Sequence, residues 1–253
     1  MSPGLLKKAL WPLGLLMLAA LEIQAQTPIP GVNISVGRAN SPAEVATTLQ
    51  ILVLLTVLTL APAIMIMTTS FTRIIIVLGF IRQALGTNQS PPTQVLVGLG
   101  LFLTFFIMEP VWSDVHKNAF RPYVDKRLTQ AKALERAVIP MKAFMQKFIR
   151  EKDLALFMRI AKVPRPRTIN DVPIHVVIPA FIISELKTAF QIGFLVYVPF
   201  LVVDLVVSSV LMAMGMMMLP PIMISLPLKL MLFVLVDGWN LIVGSLVESF
   251  FVR

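Results

Sequence analysis

The 253-residue chain contains no cysteine, which excludes disulfide frameworks, thiolate metal sites and cysteine nucleophiles. It is also poor in charge: Asp, Glu, Lys and Arg make up 14% of it, against roughly a quarter in an ordinary soluble domain. Charge this scarce cannot cover a water-soluble globule whose residues are 57% hydrophobic. An ordinary soluble enzyme and an intrinsically disordered chain are both excluded on that ground. The two histidines, His116 and His175, stand 59 positions apart with no carboxylate cluster beside them, so no metal site is expected. Ser184, Glu185 and His175 form no recognisable nucleophile arrangement, and there is no glycine-rich phosphate loop. Neither a catalytic residue nor a cofactor is expected.

What is present reads as an all-α, membrane-embedded chain built from helical hairpins. The N-terminus carries Lys7 and Lys8, an apolar run of 13 residues from Ala9 to Leu21, and Ala25 near a cleavage position. A basic start followed by an apolar stretch too short to span (about 20 residues are needed) predicts a secretory signal peptide over 1–25. Residues 26–44, rich in Pro, Gly, Asn and Ser, are expected to form an extended arm. Val45–Thr72 holds no charge over 28 residues, and Gln83–Met108 none over 26. Each is long enough to cross a bilayer. With Arg73, Arg82 and the turn-like stretch from Gly86 to Pro92 between them, residues 45–112 read as a first helical hairpin.

Residues 113–172 differ sharply, holding 14 of the 22 basic residues and 6 of the 13 acids. Nearly all of the chain's net +9 therefore lies in one segment, a distribution that gives no support to nucleic-acid binding. Met141, Phe144, Met145 and Phe148, then Leu154, Phe157, Met158 and Ala161, recur at helical spacing, so the segment is expected to be amphipathic helix. Its sidedness poses a conflict. A cleaved signal peptide puts residue 26 outside and two spans return the chain there, whereas the positive-inside bias favours the cytoplasm. The signal peptide is given precedence, which makes the basic segment periplasmic.

From Pro173 to the end the chain is apolar but interrupted by charges and prolines, and residues 173–253 read as a second hairpin of proline-kinked helices. Asp204, Lys229 and Asp237 are charges inside apolar runs, where each is by default a functional candidate. On one continuous helix Lys229 and Asp237 would lie about 80° apart. They suit either a proton relay or a buried Asp204–Lys229 pair, within one chain or between two, that fixes helix register. The stretch Met212-Ala-Met-Gly-Met216-Met217-Met218-Leu-Pro220-Pro221 is the most unusual. Three consecutive methionines cannot share a helix face, and Gly215 and the proline pair favour a loop. Flexible thioether chains suit either core filling or an apolar constriction. The small residues Gly98 and Gly100 favour close helix packing.

Several of these stretches resemble the FliP family of flagellar biosynthetic proteins. They are Met67–Thr87, Pro91–Leu96, Leu103–Met108, Ser184–Phe194, Met214–Pro221 and Leu226–Trp239, so the likeness covers about residues 45–253. The resemblance implies a subunit of the type III export gate in the flagellar basal body at the bacterial inner membrane. It also implies five copies assembling with FliQ and FliR into a right-handed helical cone, held largely above the membrane plane within the wider export apparatus. Unfolded flagellar proteins would pass through its centre. By the same resemblance Met216, Met217 and Met218 would form a gasket at the constriction, and Phe157, Glu185, Asp204 and Lys229 match positions needed for assembly or function. Two other readings stand beside it: the homologous gate subunit of a virulence injectisome, and a small proton-coupled transporter using Asp204, Lys229 and Asp237.

Overall fold

The structure, a computed structural model, describes residues 42–251 apart from Asn88, Arg165 and Met217. The expected signal peptide and nearly all of the expected arm lie outside the described residues. The chain divides into two compact units, residues 1–54 and 55–253. All that is described of the first is the leading part of helix α1 (Pro42–Thr68), which begins within the last three positions assigned to the arm.

In the second unit α1 is followed by α2 (Phe71–Leu85) and α3 (Thr93–Val115). A π-helical turn, His116–Phe120, carries α3 into the short α4 (Arg121–Val124). Then come α5 (Gln130–Phe148), α6 (Glu151–Ile160), the 40-residue α7 (Ile174–Ala213), α8 (Ile222–Leu235) and α9 (Gly238–Phe251). Every regular element among the described residues is helical, so the all-α expectation holds.

Three helices have the length and apolarity to cross a membrane: Thr48–Thr68, Thr93–Val124 and Ile174–Ala213. A fourth span would come from α8 and α9 together, which are bent by 64° at their junction. Their outward faces carry Leu, Val, Ile, Phe and Met in long exposed runs. Apolar area on this scale is stable only against lipid or neighbouring protein.

The first hairpin differs from its expectation. The segment with Arg73 and Arg82, which links two candidate spans, is itself a helix, α2, and has the largest buried share of any helix among the described residues. Ile74, Val77, Leu78, Ile81 and Leu85 of α2 recur every three or four residues, and all are buried against α7 and α3. Gly100 of α3 lets the two backbones approach, since a Cβ there would come within 3.3 Å of the Phe71 ring. Gly98 faces open space and does no such thing.

The prolines fall both inside helices and in a helix break. Pro179 and Pro199 lie inside the unbroken α7, and Pro227 inside α8. The interruptions fall at residues 214–221, which hold Pro220 and Pro221, and at 236–237. One lost backbone bond is tolerated where neighbouring helices satisfy the freed carbonyl, whereas a left-handed residue ends the helix outright.

Candidate functional site

Two charge pairs bracket α2, one wholly buried and one half-buried. Arg73, on the first turn of α2, donates from Nε and Nη2 to the two oxygens of Glu185 on α7, at 2.8 and 2.5 Å. Both side chains are almost wholly buried. The guanidinium lies over the Phe250 ring of α9, 3.8 Å from its centre, and Nη1 donates to Ser249 Oγ at 2.9 Å. Phe148 of α5 closes the cluster, stacking edge-on with Phe250. A planar fork matched to a carboxylate and laid on an aromatic face satisfies arginine far better than solitary burial would. One residue pair thus joins α2, α7, α9 and α5.

At the other end of α2, Lys229 of α8 donates from Nζ to Asp204 Oδ2 of α7 at 2.5 Å and to the Ala84 carbonyl at 3.2 Å. Ala84 is in the last turn of α2, where carbonyls lack helical partners and a cation is favoured. Gly86 caps that end in the left-handed conformation, at φ 76°. The lysine is buried while the aspartate side chain remains 39% exposed. Asp204 and Lys229 therefore pair within one chain.

Asp237 does not join them. Lys229 and Asp237 do not share one helix, because α8 ends at Leu235 and Asp237 adopts a left-handed φ of 51° at the break. Its carboxylate is exposed and accepts a bond from Asn240 at 3.1 Å. Among the described residues, no three His, Asp or Glu side chains gather where they could hold a metal ion. A cavity of about 280 Å³ beside the α4–α5 turn is lined mainly by apolar side chains, among them Ala119, Phe120, Tyr123 and Leu134.

The methionine stretch lies in the α7–α8 connection. Gly215, at φ 74°, donates its N–H to the Met212 carbonyl, and Met216 donates to Leu211, both at 3.0 Å. This pair of bonds is the Schellman stop, available because glycine carries no Cβ. Met218 projects with 98% of its surface exposed, while Met216 is half-buried. Met217 lies outside the described residues. Phe157, on α6, packs half-buried against the core.

A polar clamp escaped the sequence reading. Ser184, next to Glu185 but turned the other way, accepts a bond from the Arg150 N–H at 3.0 Å and donates to Asp153 at 2.8 Å. The Arg150 side chain reaches Thr188 and Gln191 on the next turns of α7, at 3.1 and 2.5 Å. These bonds hold the extended α5–α6 junction against α7. The available signal was the spacing of Ser184, Thr188 and Gln191 along one stripe of an apolar helix.

A model of the FliP family matches residues 54–246. The chain belongs to the FliP family. It is similar to the flagellar biosynthetic protein FliP of Bacillus subtilis, with 55% identity over 217 residues, 86% of this chain and 98% of that one. To the protein of the same name from Pectobacterium carotovorum it is 53% identical over 239 residues, covering 94% and 91% of the two chains. Identity to the Aquifex aeolicus protein of that name is 47% over 240 residues, covering 94% and 98%. Membership makes the chain a component of the flagellar export apparatus, and its long apolar helices fit a membrane location. Glu185, Asp204 and Lys229 are in the charge pairs that bracket α2, and Met216 and Met218 are in the α7–α8 loop.

Proposed function

We propose that the chain is a core conduit subunit of the flagellar type III export gate. It acts as structure and not as an enzyme. Five copies, with FliQ- and FliR-type subunits, would surround a path for unfolded flagellar proteins at the inner membrane within the basal body. Residues 113–172 would lie on the periplasmic side, after removal of a signal peptide. Phe157, Glu185, Asp204 and Lys229 serve assembly by fixing the shape of each subunit.

The observation carrying this reading is the α7–α8 loop, a rigidly stopped turn that presents a nearly fully exposed methionine between two apolar helices. Repeated about an axis, Met216, Met217 and Met218 form a ring of flexible apolar chains. The ring dewets and blocks ions at rest, then reshapes around a polypeptide of any sequence. Replacing all three by alanine leaves assembly intact and raises ion leakage in reconstituted vesicles. An unchanged leak in correctly assembled complexes would sink the gasket.

A further inference from the structure

The charged residues of the apolar C-terminal half are not all satisfied inside the chain. Glu185 and Lys229 have partners within the chain, but Lys187 of α7 and Glu248 of α9 are exposed and form no ion pair among the described residues. Lys187 lies in a candidate span, and Glu248 in the bent α8–α9 pair. A lone charge on such a surface is costly unless it meets an opposite charge.

Their surroundings are complementary. Lys187 is two residues, about 200°, around α7 from Glu185, and so on the opposite face. There it is the single charge in a stripe of Ile183, Lys187, Phe190 and Phe194, spaced as one helix face and all exposed. Glu248 is the single charge in a matching exposed stripe of α9 with Leu241 and Ser245. Beside that stripe, the space where Gly244 would carry a Cβ is open. One face is bulky and cationic; the other is small-featured and anionic.

The two charges also share a level. Arg73 bonds Glu185 and Ser249 together, which sets Glu248 level with Glu185, one turn or less from Lys187. The exposed acids Asp237 and Glu109 do not match. Asp237 is four residues past Phe233, whose ring faces Phe200, so it lies near the level of Val196, about 13 Å from Lys187. Glu109 is nine residues past Gly100, which packs on Phe71 and Ile74, and so lies about 13 Å beyond the Arg73 level.

We propose that Lys187 of one copy pairs with Glu248 of the next, joining two different faces of the chain. Such a head-to-tail contact propagates around a ring or helix instead of closing as a dimer. The inference rests on the self-assembly reading above and names the residues that carry it.

The absence of cysteine gives a clean background for the test. Full-length Lys187→Cys and Glu248→Cys chains bearing different tags are co-expressed with the FliQ- and FliR-type subunits and oxidised. Disulfide-linked dimers are expected between the two variants and not within either one. In native mass spectrometry, Lys187→Glu and Glu248→Lys each reduce the oligomer at least about tenfold, as for truncation of a desolvated interfacial pair. The double exchange returns it to near the wild-type level. Co-assembled cysteine variants that give no mixed cross-link, or single charge reversals that leave the oligomer yield unchanged, would overturn the pairing. A wild-type chain that stays monomeric would instead overturn the self-assembly reading beneath it.

Discussion

Replacing Arg73 with methionine removes the guanidinium from a carboxylate that has no access to water. Arg73 and Glu185 side chains are 3% and 0% exposed, and two short hydrogen bonds join them. Breaking a buried pair from one side costs about 3–5 kcal/mol, because the remaining charge keeps its desolvation penalty. Loss of the cation–π contact with Phe250 acts in the same direction, by about 1–2 kcal/mol at a desolvated site. Ser249 is little affected, since its hydroxyl also donates to Leu246. For a chain of this size about 1 kcal/mol moves the melting temperature by 2–4 °C, so the single variant, losing about 4–7 kcal/mol in all, should unfold roughly 8–28 °C below wild type. Arg73→Met with Glu185→Leu removes both charges and should recover most of the loss, because an apolar pair fits that site without desolvation. The assay is thermal unfolding of the detergent-purified protein, read by circular dichroism. An Arg73→Met protein that melts with wild type, or a double variant as unstable as the single, would refute the reasoning.

Three further outcomes follow from the same geometry. Gly193→Ala places a Cβ 2.5 Å from Cδ2 and 3.0 Å from Cβ of Phe80, atoms too close to the backbone to swing away. It should destabilise by about 1–3 kcal/mol, and Phe80→Ala in the same chain should relieve the clash, as unfolding of the two variants would reveal. Lys229→Met should damage the fold more than Asp204→Asn, because the lysine is buried and also caps the Ala84 carbonyl, whereas the aspartate reaches solvent. Comparative proteolysis of the two variants measures that asymmetry. Ser184→Ala removes both bonds at the α5–α6 junction. Amide exchange at residues 149–153 should then quicken about tenfold, for a loss of about 1.5 kcal/mol, while α2 stays protected.

The family and the helical class were legible because they depend on local pattern. Uncharged runs of spanning length, the signature stretches and the glycine–proline punctuation of the methionine loop are properties of neighbours in sequence. Burial of α2 was not legible in the same way. Arg73 and Arg82 marked it only as a short charged segment between two uncharged runs, yet Arg73 is neutralised by Glu185, 112 residues later. The helical arc from Lys229 to Asp237 failed for a related reason. Helix periodicity extrapolates only while the helix continues, and a left-handed residue at Asp237 ends it.

The sequence by itself determined what the chain is made of: long apolar helices, no chemistry of cysteine or clustered histidine, and a few isolated charges in an apolar half. Only the tertiary structure decided which of those charges are spent internally. Glu185 and Lys229 bracket α2 and hold the subunit together, and Asp237 sits at an exposed helix break. Lys187 and Glu248 are left facing outward. The physical reason is that a charge within an apolar segment must find an opposite partner, and that partner is set by three-dimensional level and face, which spacing along one chain does not encode.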